Sequence, residues 1–220
     1  AIPTLWGIDE DFDGLFSVDD YTKIGAGSTA AGLIEWGSLY YQDLDGVNQI
    51  IGKHIESFAI DSDFVAYFVR NRDVKLGGAQ SVVLKAPVML KLDLRTVSST
   101  GPIVATVVGS IPIPGFDYTL TPADNVTGLS FDPGTGRLHA LYMKSDGTVA
   151  DILYLVSKED ASIIAELGEM RNDALGEIVG HGEEMEYDHV GNLFVSDNNG
   201  DQLYKVDPET AKITEVVDNN

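Results

Sequence analysis

The sequence predicts an all-β fold, a β-propeller built from four-stranded antiparallel blades. Three observations point there. Short runs alternate apolar and polar residues with period two, turn residues interrupt the chain at short intervals, and one four-strand phrase recurs along the chain. A β-sandwich is the fallback for strands of this kind. The recurrence favours the propeller, in which every blade buries its faces against its neighbours.

The phrase opens with a strand that ends in Asp and a turn: Ile55 to Asp61, Val126 to Asp132, and Gly182 to Asp188. A second strand follows at Val65 to Arg70, Arg137 to Met143 and Asn192 to Asp197. The third strands are Val88 to Leu94, Ile152 to Ser157 and Gln202 to Val206, and the fourth are Ile103 to Val108, Ser162 to Leu167 and Lys212 to Val217. Stretches 72–86 and 171–180 read as loops that loosen the period, with one helical turn expected over Asp173 to Val179. At the start of the chain, Thr4 to Asp9, Gly14 to Asp19 and Gly32 to Tyr40 match the second, third and fourth strands. The whole is read as one domain over 1–220, in units of approximately 4–50, 54–112, 125–170 and 182–217. Unit one starts at its second strand, so its inner edge is expected to lack a partner, filled either by chain beyond Asn220 or by a strand from a neighbouring molecule.

The chain carries 14 basic and 35 acidic residues, a formal charge of −21. Such a surface repels nucleic acid and anionic membranes, and suits divalent cations or plain solubility. No apolar run reaches the roughly 18 residues that mark a membrane span. There is no cysteine, hence no disulfide framework. The opening Ala1, Ile2, Pro3 and Thr4 have neither an initiator methionine nor a basic stretch. They read as the end left by signal-peptide removal, which predicts a secreted or cell-surface protein, with a trimmed chain as the alternative.

Two constellations bear on chemistry. Asp9, Asp11 and Asp13 alternate ahead of Gly14, with Asp20 at the twelfth position. Oxygen ligands at this spacing, followed by a glycine that permits a tight turn, suit a calcium loop. An acidic Asp-Gly hairpin turn fits the same residues. The second constellation is a coincidence of repeats: His54 with Glu56, and His181 with Glu183, open two inner strands at equivalent places. Alternation puts each pair on one side of its strand, where two pairs could face one ion in the channel, zinc and calcium both being open. Unit three has Asn125 and Thr127 there, which fit a metal poorly, and polar residues at a solvated channel mouth explain all three.

The strands Thr4 to Asp9 with Gly14 to Tyr21, and Gly191 to Asp197 with Leu203 to Pro208, resemble secreted bacterial β-propeller proteins with NHL-like blades. Some of these, notably in cyanobacteria, carry a C-terminal PEP-type sorting tail, a segment not among these 220 residues. The resemblance implies a fold and an extracellular setting; propellers host enzymes, lectins and scaffolds alike. The leading expectation is an extracellular, non-enzymatic binding or surface-assembly protein stabilised by calcium, with self-assembly or a carbohydrate or other surface ligand as its partner. The runner-up is a secreted metal-dependent hydrolase or lactonase-like propeller using His54, Glu56, His181 and Glu183. No cofactor other than a metal is expected, and no serine-nucleophile, phosphate-loop or His-Glu-x-x-His motif occurs.

Overall fold

The computed structural model describes residues 4–9, 14–19, 33–77, 82–98, 100–116, 125–144, 149–198 and 201–217. Unit one comprises β1 (Thr4–Asp9), β2 (Gly14–Asp19) and β3 (Leu33–Gln42), with β4 (Asn48–Ile50) folded back on the end of β3. Unit two comprises β5 (Ile55–Ile60), β6 (Val65–Arg70), a small hairpin of β7 (Val74–Gly77) and β8 (Val82–Leu84), then β9 (Val88–Asp93) and β10 (Ile103–Ser110). Unit three is β11 (Asn125–Phe131), β12 (Leu138–Met143), β13 (Ile152–Val156) and β14 (Ile163–Glu169). The short β15 (Arg171–Asn172) and β16 (Glu177–Ile178) lead to unit four, β17 (Gly182–Tyr187), β18 (Leu193–Asp197), β19 (Gln202–Asp207) and β20 (Lys212–Val217).

Units two to four are antiparallel four-strand ladders, β5-β6-β9-β10, β11-β12-β13-β14 and β17-β18-β19-β20. Unit one is the three-strand ladder β1-β2-β3, and β1 stands at the end of its sheet with β2 as its ladder partner. The only helical segment among the described residues is a 3-10 turn over Leu94–Thr96. No helix there is long and apolar enough to cross a membrane. The fold is all-β and propeller-like.

The recurring aspartates make the first turn of each unit. Oδ1 of Asp61 accepts from the N–H groups of Asp63 and Val65, and Oδ1 of Asp188 from those of Val190 and Asn192, while Asp132 takes Gly134. A short carboxylate that bonds the backbone two residues on is the usual reason for Asp at a turn. The Asn192 carboxamide holds the Asp188 carboxyl, and the Thr135 hydroxyl the Asp132 carboxyl, below the ordinary range together with these N–H groups, although burial works against them.

Alternation then builds three cores, one between each pair of successive sheets. In β6, Ala66 and Phe68 face unit one while Tyr67 and Val69 face unit three. In β12 and β13, Ala140, Tyr142, Ile152 and Tyr154 face unit two while Leu141 and Leu153 face unit four. The middle strands are therefore buried on both faces, and each large apolar side chain so enclosed contributes roughly 1.5–3 kcal/mol. Trp6 and Trp36 stack at 5.7 Å on the unit-one side of the first core.

Three features depart from the sequence expectation. The 72–86 stretch, expected as a loop, holds the β7–β8 hairpin. The helical turn expected over Asp173 to Val179 is a tight turn instead. Asn172 Oδ1 accepts from the N–H groups of Ala174 and Leu175, which sends β16 back along β15. The blades are also linked in parallel: the end of β3 pairs with β10, and β15 with β20. In each case the chain leaving one unit crosses the outer edge of the next, whose fourth strand offers unpaired backbone groups.

Candidate functional site

Strands β5, β11 and β17 are the inner strands, and β11 packs between the other two. Each is bulged at the same place. The ladder steps from Ile55 to Ser57, from Val126 to Gly128 and from Gly182 to Glu184. The extra residues are Glu56, Thr127 and Glu183, and a bulge takes its residue out of the ladder and re-aims its side chain. His54, Asn125 and His181 thus hold equivalent positions two residues earlier, as the repeats suggested. The same backbone bond recurs there: Asn71 N–H donates to the His54 carbonyl at 2.9 Å, and Asn198 N–H to that of His181 at 3.0 Å.

The structure does not gather the two His-Glu pairs around one ion. Among the described residues no three His, Asp or Glu side chains come together as a metal site. The bulk of β11 stands between the strands that carry the pairs. Glu183 accepts from Asn198 Nδ2 at 2.7 Å, and Glu56 from Asn71 Nδ2 at 3.4 Å. His54 sits at a left-handed φ of 77° just outside its strand. Of the expected calcium loop, Asp11, Asp13 and Asp20 lie outside the described residues. Asp9 is the last residue of β1, opposite Gly14.

Beside each of the last two bulges, inner-strand backbone groups are satisfied by side chains of the preceding blade. At the junction of units two and three, the buried Asn71 accepts from Val126 N–H through Oδ1 at 2.8 Å and donates to the Val126 carbonyl through Nδ2 at 3.1 Å. At the junction of units three and four, the equivalent residue is Gly182, and two side chains divide the task. Asp151 Oδ2 accepts the Gly182 N–H at 2.8 Å, and the Thr127 hydroxyl donates to the Gly182 carbonyl at 2.6 Å. Thr127, from the unit-three pair that fitted a metal poorly, is thus a fastening between blades.

Asp151 is fully buried, and its Oδ1 accepts from Lys144 N–H at 2.8 Å. Burial lifts its carboxyl to about 7; the two N–H donors pull it down and the nearby Asp197 carboxylate pushes it up. Asp197, itself buried, accepts from the N–H groups of Gly180 and His181. Further out on the same junction, His139 Nδ1 and the Tyr187 hydroxyl lie 3.2 Å apart in the interior. Burial pushes the imidazole down and the phenol up, so the pair stays uncharged.

At the other junction Lys158 Nζ reaches Asp61 Oδ2 at 2.9 Å and lies 6.0 and 5.8 Å from the ring centres of Tyr67 and Phe131. Burial alone would raise Asp61; the Lys158 ammonium and the turn N–H groups more than offset it.

The sequence missed Asn71, Asp151 and Asp197. One signal was there: Asn71 follows Asp61 by the same ten residues that separate Asn198 from Asp188. No comparable signal marks Asp151.

No protein-family model matches the chain, and no curated protein matches it. Among solved structures, a glutaminyl cyclase from Myxococcus xanthus aligns over 99% of this chain and 75% of its own, at 12% identity and a TM-score of 0.49. A protein of unknown function from Bacteroides caccae aligns over 100% of this chain and 74% of its own, at 10% identity and a TM-score of 0.45. A luciferin-regenerating enzyme aligns over 98% and 72%, at 12% identity and a TM-score of 0.45.

Proposed function

We propose that this chain is a secreted, non-enzymatic binding or surface-assembly module, of the kind formed by the bacterial propellers with NHL-like blades that its strands resemble. One observation carries the proposal. The buried polar side chains at the inner-strand mouths, Asn71, Thr127, Asp151 and Asp197, are spent on backbone groups of their own or the adjacent blade. Groups held in this way fasten a scaffold and are not poised toward a substrate. The surplus of acidic residues over basic ones favours cationic partners, metal ions included.

The test is turnover of a panel of lactones and esters with added calcium or zinc, set beside the location of the native protein in fractionated cells. Protein in the extracellular or surface fraction without turnover supports the proposal. Chelator-sensitive turnover that is lost in His54→Ala or His181→Ala overturns it in favour of a metal-dependent hydrolase.

A further inference from the structure

The ladder registers allow the same face of each unit to be compared residue by residue. The face that looks toward the following unit carries two cross-strand rows. In unit two they run Ser57, Val69, Met89, Gly109 and Ala59, Tyr67, Lys91, Thr106. In unit three they run Gly128, Leu141, Leu153, Gly168 and Ser130, His139, Leu155, Ala165. Both faces are small on the inner strand and end the first row in glycine.

The reason is steric. A Cβ on Gly128 would lie 2.8 Å from Met185 Cβ of the next inner strand, and one on Gly109 would lie 2.7 Å from the Asp160 carbonyl of the next unit. At Gly109 and Gly128 the following unit leaves no room for a side chain.

Unit four breaks the pattern throughout. Its rows run Glu184, Ser196, Leu203, Val217 and Glu186, Phe194, Lys205, Glu215. Glutamates replace the small inner-strand residues, and valine stands where the glycine was. Glu184 and Glu215 are exposed, and Glu186 is open to solvent while its carboxyl, raised by burial, also takes a hydrogen bond from Ser130 of unit three. Phe194 and Leu203 are half-buried. The face therefore differs from the two that a following unit covers, and its two rows carry a net negative charge around an apolar centre, with Lys205 their single cation and Lys212 beside them opposite Asp207.

We propose that this outward face of unit four docks a cationic, extended segment of a partner protein, apolar side chains meeting Phe194 and Leu203 and basic ones meeting the glutamates. The charge pattern selects the occupant: a second copy of a chain with a net charge of −21 is repelled, and a basic segment is drawn in. The inference rests on the binding-module proposal above and names its partner class.

The probe is a synthetic peptide of alternating Lys and Leu, titrated calorimetrically against the full chain at two salt concentrations. Glu184→Gln/Glu186→Gln is expected to weaken binding about tenfold, and Phe194→Ala to weaken it as well. A charge-matched control, Asp63→Asn/Glu159→Gln on units two and three, is expected to change it less than about twofold. Circular dichroism checks that each variant is folded. Equal loss in both double variants, or no binding by the unmodified chain, overturns the docking surface while leaving the binding-module proposal standing. Metal-dependent turnover in the separate assay overturns that proposal instead.

Discussion

The carboxamide of Asn71 closes both backbone groups of Val126, a residue 55 positions further along the chain and on the next blade. One planar side chain with an acceptor and a donor matches the N–H and C=O of a residue on the end strand of its sheet. The bond pair lies in the interior, where an unmade hydrogen bond costs most.

Asn71 variants should separate the two bonds. Asn71→Leu orphans both Val126 groups, and each buried orphan costs about 1–3 kcal/mol. Asn71→Asp keeps an acceptor for the N–H but loses the donor and places a carboxylate in the interior. Urea unfolding is expected to show a loss for both variants, with the Asp variant recovering on acidification as its carboxyl takes a proton that can again be donated. A Leu variant as stable as the parent would mean that Val126 finds other partners.

The inner-strand glycine makes a sharper steric prediction. Gly128→Ala forces a methyl group against Met185, and overpacking of this kind costs about 1–3 kcal/mol. Gly101→Ala is the control, since a Cβ there meets nothing within 4 Å. Thermal melting should lower the midpoint of the first variant and leave the second unchanged. Equal behaviour would show that units three and four separate easily at this junction.

Asp151 should make stability depend on pH in an unusual direction. Its carboxyl titrates at about 7 when folded and near 4 when unfolded, so between these values the folded state binds more protons. The contribution of this group is therefore most favourable below about pH 4 and declines as pH rises toward 7, by roughly 4 kcal/mol at most. The buried His139, pushed below its ordinary value, acts in the opposite sense near neutrality, so the comparison must be differential. The stability difference between the parent and Asp151→Asn, from urea unfolding at pH 5 through 8, is expected to shift against the parent as pH rises. Parallel curves would place the Asp151 carboxyl in the ordinary range.

What the sequence made legible was local. Asp61, Asp132 and Asp188 stood out because each bonds backbone groups within a few residues, so the turn and its cause sit in one short phrase. Strands β6 and β12 were equally legible, because burial on both faces leaves a nearly continuous apolar run, broken only by Arg70 and His139. The junction chemistry was not. Nothing near Asn71 hints at Val126, nor anything near Asp151 at Gly182; the partners meet only when blades stack. His54, Glu56, His181 and Glu183 were correctly seen as equivalent. Their equivalence came from a shared bulge, and a shared bulge on two strands separated by a third does not converge on an ion.

The last prediction concerns calcium. Asp9 and Gly14 face each other across the β1–β2 ladder, so Asp11 and Asp13 belong to the short connection between them. Three aspartates within five residues repel one another, and a divalent cation held by their oxygens would remove that penalty. A ligand that binds the native state alone stabilises it by mass action, by about 2.7 kcal/mol at a hundredfold excess over its dissociation constant. The melting midpoint in calcium is therefore expected to exceed that in chelator, with the gain lost in Asp11→Asn/Asp13→Asn. Magnesium should substitute poorly, because it demands near-ideal octahedral geometry and gives up its water reluctantly, whereas calcium accepts irregular oxygen shells. If the midpoint is the same in calcium and chelator, the segment is an acidic Asp-Gly turn, and the double variant should then melt higher than the parent through relief of repulsion alone.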